Sequence, residues 1–230
     1  MKKSSLFTTL ALVAVFGIVL VAIVSSIMNK PPAAESAWVE AMTMGPKDSK
    51  KHYIMYTDIM CPYCDVFTRV VMNNEENFEK FLDENHILFE IRMTNALSYS
   101  GSAYSTAAAE SAYCAAYENK FWEFYHGAIQ ALWDDYHSKG IGDSKTSPKI
   151  ENLPEDYWST IAHRVGLGDS FDTCLSTEAS KNDVEKFTVE ASRVATGYPY
   201  FVFGRQTYSG LPSLDLNSWA GLESFLKTGL

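Results

Sequence analysis

The stretch from residue 51 to residue 93 constrains the fold more than any other part of the chain. It opens with 52-HYIMYT-57, whose aromatic and β-branched content suits a buried strand. In 66-VFTRVVM-72 the residues Val66, Val70 and Val71 recur at helical spacing, and 75-EENFEKFLDE-84 reads as a second helix. Then 87-ILFEIRM-93 alternates as a strand does. Strand, helix, strand is the start of a βαβ unit, so the fold class is α/β. From Ser102 the texture changes. Residues 102–133 are rich in alanine and aromatics at i, i+3, i+4 spacing and read as two helices meeting near Glu118–Lys120. A polar loop follows over 138–154, and helical patterns resume at 155–165, 169–176 and 178–195. The segments 200-YFVFG-204 and 206-QTYSG-210 form a short hairpin turning at Gly204–Arg205, and a helix over 217–229 closes the chain. Helices set between two β-containing halves read as an insertion, about 97–195, within one domain over 51–230. A length of 230 residues with 47% apolar residues is ample for one such domain.

The N-terminus sets the compartment. Residues 6–28 carry no charge, and Lys2 and Lys3 stand just before them. As a helix rising about 1.5 Å per residue, those 23 positions span roughly 34 Å, enough to cross a hydrocarbon core of about 30 Å. A cleaved signal peptide has a shorter apolar region of about 7–15 residues, although 33-AAESA-37 offers small residues to a peptidase. The expectation is a cytoplasmic tip over 1–5, a transmembrane anchor over 6–28 and a tether over 29–50, with the rest outside the cytoplasm. The two lysines place the N-terminus inside. The protein is therefore expected at the cell membrane as a single-pass chain, or secreted if the anchor is cut. A formal charge of -9 argues against a nucleic-acid partner, which needs a basic face.

Export changes how cysteines are read, because disulfides form and persist outside the reducing cytoplasm. There are four: Cys61, Cys64, Cys114 and Cys174. The first two lie in 57-TDIMCPYCDVF-67. A c-type haem needs histidine directly after the second cysteine, and Asp65 stands there instead. Structural zinc usually brings a second close pair, whereas Cys114 and Cys174 are 174 − 114 = 60 positions apart, so no metal is assigned. A permanent staple closing so small a loop removes little chain entropy. The redox reading has a positive argument. Cys61 falls between a strand and a helix, at or near the helix N-cap, with Pro62 at the first helical position where its missing N–H costs nothing. The free N–H groups of Tyr63 and Cys64 and the positive helix end favour a thiolate on Cys61, with Asp65 acting weakly against it. Cys64, one turn inward, is the resolving partner.

At this point four motifs carry a resemblance: 53-YIMYTDIMCPYC-64, 114-CAAYENKFWEFYHGAI-129, 171-FDTCL-175 and 196-TGYPYFVFG-204. In this order they resemble the DsbA family of thiol-disulfide oxidoreductases, a thioredoxin-like fold with an inserted all-helical domain, and cover the chain from about Lys51 onward. The resemblance implies that Pro199 is the cis-proline beside the cysteine pair. It implies also that the backbone of Tyr198 pairs with an extended substrate segment by strand addition. It makes a structural Cys114–Cys174 disulfide the favoured state over two buried free thiols, a bridge that could stabilise by roughly 4 kcal/mol on the chain-entropy model. Two positions depart from the family. An acidic residue often sits six before the first cysteine, but 61 − 6 = 55 is Met55, which leaves Asp58 or water for proton handling. The residue before the cis-proline is often Thr or Val, and here it is the bulkier Tyr198.

The expected function is a membrane-anchored, extracytoplasmic dithiol oxidase that introduces disulfides into exported cysteine-containing proteins. It needs no cofactor, and a DsbB-like or VKOR-like membrane protein re-oxidises it. A reductase or isomerase of the same fold, or a non-catalytic binding module with a structural cysteine pair, are the alternatives. The cluster 121-FWEFYH-126 reads as core, and none of His52, His86, His126, His137 and His163 is assigned to catalysis.

Overall fold

The computed structural model describes residues 39–100, 102, 104–144, 149–211 and 218–230. The tip over 1–5 and the anchor expected over 6–28 lie outside these residues. Among the described residues no helix is long and apolar enough to cross a membrane.

Among the described residues five strands form one sheet: β1 (Thr43–Met44), β2 (Lys51–Thr57), β3 (Ile87–Met93), β4 (Tyr200–Phe203) and β5 (Gln206–Ser209), in the order β1-β3-β2-β4-β5. Only β2 and β3 run parallel, as the connection through α1 (Pro62–Met72) and α2 (Glu75–Asn85) requires. The antiparallel β2–β4 pairing sets Met55 opposite Phe201 and Tyr56 opposite Tyr200.

Alternation along the strands sorts the side chains onto two faces. On one face Tyr53 stacks on Phe203 at 4.2 Å between ring centroids, and Phe67 of α1 lies against Phe89 and Phe201. Phe78 of α2 meets Phe89 edge-on. The last described helix, α8 (Trp219–Lys227), adds Phe225 against Phe201 and Phe203. On the other face Tyr56 and Tyr200 pack with Ala191. There Arg92 donates to Glu90, to the Tyr56 hydroxyl and to Glu190. Ala191 and Glu190 belong to α7 (Glu178–Ser192), which is thereby held to the sheet by both packing and charge.

Between β3 and β4 lie α3 (Ser105–Tyr117), α4 (Phe121–Asp135), α5 (Tyr157–Arg164), α6 (Asp169–Leu175) and α7. Helix α3 touches each of the other four. Its buried Ala108, Ala109, Ala112, Ala115 and Ala116 are small enough to let several helices approach one axis. The helices α3 and α4 part at Glu118–Lys120, where Asn119 takes φ 56, a left-handed conformation that asparagine tolerates.

One boundary differs from the sequence reading. The tether expected over 29–50 gives way to folded chain before its end. Met42 is fully buried, β1 pairs with β3, and the Ile91 N–H donates to the Met42 carbonyl at 3.0 Å. A two-residue strand is too short to show a period of two, so nothing in the local pattern announces it.

Candidate functional site

Strand β2 delivers the site. It ends at Thr57, the chain turns through Asp58–Met60, and Cys61 becomes the N-cap of α1 with φ −83 and ψ 115. Pro62 takes the first helical position, as its fixed φ and missing N–H allow. The Cys61 N–H donates to the Asp58 carbonyl at 2.9 Å, and the Cys61 carbonyl accepts the first intrahelical bond, from Asp65 N–H, at 3.0 Å. No side chain caps the helix, so its first N–H groups face the cysteine end unclaimed by a cap.

Cys61 and Cys64 both carry free thiols and both are buried. Cys61 is 3% exposed and Cys64 is fully enclosed, while Tyr63 between them stands half exposed on the rim. Burial pushes the Cys64 thiol well above its ordinary value, the Cys61 sulfur beside it adds to the rise, and the Thr57 hydroxyl and Asp58 backbone work the other way. Below Cys64, Thr68 donates to its carbonyl at 2.9 Å and shares a hydrogen bond of 2.7 Å with the Tyr125 hydroxyl of α4.

The second wall comes from the far end of the chain. Tyr198–Pro199 is a cis peptide bond immediately before β4. The Cys61 thiol donates to the Tyr198 carbonyl at 3.8 Å. Burial above all, with smaller contributions from Asp58 and the two sulfurs and against a hydrogen bond with Thr94, raises the Tyr198 phenol to about 12, so these groups share one electrostatic neighbourhood.

Met55 occupies the middle of β2, fully buried and with nothing to titrate. Asp58 is fully buried too, but its carboxylate accepts the Met60 N–H at 2.9 Å, the Leu97 N–H at 2.9 Å and the Ser105 hydroxyl. Burial raises its pKa from 3.8 to about 6 against the pull of those three donors. Leu97 and Ser105 lie beyond β3, so the helical segment grips the loop that presents Cys61.

Cys114 of α3 and Cys174 of α6 are joined in a disulfide, with their Cα atoms 5.8 Å apart. The structure thus brings Cys61, Cys64, Pro62, Tyr63, Tyr198, Pro199 and Asp58 together at one end of the sheet, and sets Cys114–Cys174 among the helices of the segment between β3 and β4. One contact beside the pair is absent from the sequence reading, which took Asp65 and His137 separately. Asp65 is buried beside Cys64 and faces His137, which follows α4 in a short 3-10 turn. The two are 137 − 65 = 72 positions apart, and no motif spacing links them.

Two thiols at a helix start, facing a cis-proline loop across a mixed five-stranded sheet, form the dithiol centre of the thioredoxin class. Residues 38–197 match the sequence model of a thioredoxin family, and the chain belongs to that family. No curated protein matches it by sequence. Solved structures do match by fold. The thiol-disulfide exchange protein alpha-DsbA2 of Wolbachia pipientis is 16% identical at a TM-score of 0.55, with 84% of this chain and 94% of that one covered. MdbA, a thiol-disulfide oxidoreductase from Corynebacterium diphtheriae, is 19% identical at 0.55, covering 81% and 85%. The catalytic domain of Proteus mirabilis ScsC is 18% identical at 0.54, covering 85% and 96%. At these identities the likeness is one of fold, and it is the DsbA-like fold, with helices inserted between β3 and β4.

Proposed function

We propose that this chain is an extracytoplasmic thiol-disulfide oxidoreductase that introduces disulfides into exported proteins through Cys61 and Cys64. The observation that carries the reading is the placement of Cys61, at the N-cap of α1 and 3.8 Å from the carbonyl of Tyr198 beside cis-Pro199. Cys61 is the nucleophile-side sulfur because it stands at the helix N-cap and keeps 3% exposure, while Cys64 is fully enclosed.

In the oxidised pair, a substrate thiolate attacks Cys61, forming a mixed disulfide and releasing Cys64 as thiolate. A second substrate thiolate attacks the substrate sulfur of that mixed disulfide. The products are a substrate disulfide and reduced Cys61 and Cys64, so two electrons have moved onto the enzyme. The backbone of Tyr198 holds the substrate segment extended beside Cys61, where main-chain hydrogen bonds give affinity without demanding one sequence. Asp58, with a pKa of about 6, is the group within the site able to exchange a proton as the sulfurs change charge. No dissociable cofactor is required. A DsbB-like or VKOR-like membrane protein returns the pair to the disulfide, and residues 6–28 anchor the enzyme beside it.

Expressed with exported cysteine-containing proteins, Cys64→Ser should accumulate mixed disulfides through Cys61. A clean monomer band, with Cys61 intact, counts against the mechanism. A glutathione redox titration then fixes the direction of electron flow. A potential near about −120 mV makes the centre an oxidase, and one near about −270 mV makes it a reductase.

A further inference from the structure

The first turn of α1 holds a charge that the redox chemistry does not use. Asp65, directly after Cys64, is 3% exposed, and among the described residues its Oδ1 has no hydrogen-bond partner. Its Oδ2 lies 3.5 Å from Nδ1 of His137, which is 2% exposed and, among the described residues, makes no hydrogen bond through either ring nitrogen. Two ionisable side chains from distant parts of the chain are thus enclosed behind the active-site helix with each other as partner. An apolar pair would fill the same space more cheaply, since burying ions costs several kcal/mol each even after relaxation.

Position gives the pair a consequence. A carboxylate in the first helical turn sits in the field that would stabilise a thiolate at the N-cap, and opposes it. Its influence reaches the neighbouring groups: the Tyr125 hydroxyl, bonded to Thr68, feels both Cys64 and Asp65. An imidazolium against that carboxylate would cancel its charge. Without the histidine, a full negative charge would remain one residue from Cys64 and one helical turn from Cys61.

We propose that His137 is a positioning residue for the redox centre: as an imidazolium paired with Asp65, it keeps the space behind Cys64 electrically neutral and so holds the Cys61–Cys64 couple more oxidising than an uncompensated carboxylate would allow. The proposal rests on the redox reading of that cysteine pair. Reduction leaves a thiolate on the centre, so a nearby negative charge weakens the reduced form and makes the couple a poorer oxidant.

The test is a glutathione titration at neutral pH of the whole chain and three variants: His137→Gln, Asp65→Asn and the double variant. His137→Gln should lower the exchange constant about tenfold, which is about 30 mV for a two-electron couple. The double variant should return to within about twofold of the parent, because it removes the charge that the histidine balanced. Asp65→Asn alone should match the parent or be more oxidising. Loss of packing alone does not predict recovery on adding a second substitution. An unchanged potential in His137→Gln, or a double variant as low as the single, overturns the proposal. If His137→Gln does not fold, His137→Asn is read in its place, with the same downward shift expected. A parent that titrates normally beside flat variants defeats only this proposal, whereas a parent that never equilibrates with glutathione defeats the redox reading as well.

Discussion

Replacing Asp58 with asparagine isolates what burial does to a charge beside the thiols. The carboxyl is fully enclosed, and burial raises its pKa from 3.8 to about 6 although three donors hold it. With 3.8 as the unfolded value, a rise of about two units is worth about 3 kcal/mol. The folded chain holds this proton more tightly than the unfolded chain does. Between those two values the folded state therefore binds more protons, and unfolding free energy falls as pH rises. The stabilisation is fully present below about pH 4 and is gone once pH has passed the folded value of about 6. The asparagine variant has no such ionisation. It carries instead a fixed cost, because its NH₂ group must face one of the N–H groups of Met60 or Leu97. Urea unfolding of both proteins from pH 4 to pH 7.5 separates the two effects. The difference in unfolding free energy, variant minus parent, should climb by about 3 kcal/mol across that range from whatever offset the amide sets. A difference that stays flat to within about 0.5 kcal/mol would refute the claim that burial governs this carboxyl.

Two further outcomes follow from local geometry. Replacing both Cys114 and Cys174 with serine opens a loop of 60 residues and should lower unfolding free energy by about 4 kcal/mol, read as a lower urea midpoint. The glutathione potential of the Cys61 centre should not move with it, since the bridge joins α3 to α6 and neither of its cysteines is among the groups that shift the Cys64 thiol. Gly45→Ala should cost about 2 kcal/mol or more in thermal unfolding, because Gly45 has φ +91 and an added Cβ would lie 2.3 Å from the Ile87 carbonyl oxygen.

What could be read from the sequence was local. Pro62 after Cys61, valines at helical spacing and the Gly204–Arg205 turn each place an element by their own chemistry, and α1 and the β4–β5 hairpin lie where those signals put them. The break near Asn119 was legible for the same reason. Arrangement in space was less so. Asp58 stood out as an acid near the cysteines, but its pKa depends on Leu97 and Ser105 closing over it, and neither carries a sequence signal for that contact. His137 was one of five scattered histidines, and only the packing of α1 against the turn after α4 sets it on Asp65. Strand β1 was missed because two residues cannot display a pattern. The cis-proline and the disulfide were expected through family likeness, since Gly-x-Pro and two cysteines 60 apart are common in chains that do neither.

Cys61 and the carbonyl it faces stand 137 residues apart and meet because β2 and β4 are neighbours in the sheet. A polypeptide made from its N-terminus presents Cys61, Cys64 and Cys114 well before the loop that carries Tyr198 exists. During that interval β2 can gain β3 on one side while its other side stays bare. Closure over so long a span comes late in folding, because its loop entropy must be met before its contacts form. On the proposed function, a half-synthesised copy owns the sulfurs without the Tyr198 backbone that would hold a client beside them. On the same reading, competence arrives with the β4–β5 hairpin, once that late stretch of chain has been made and has folded onto β2.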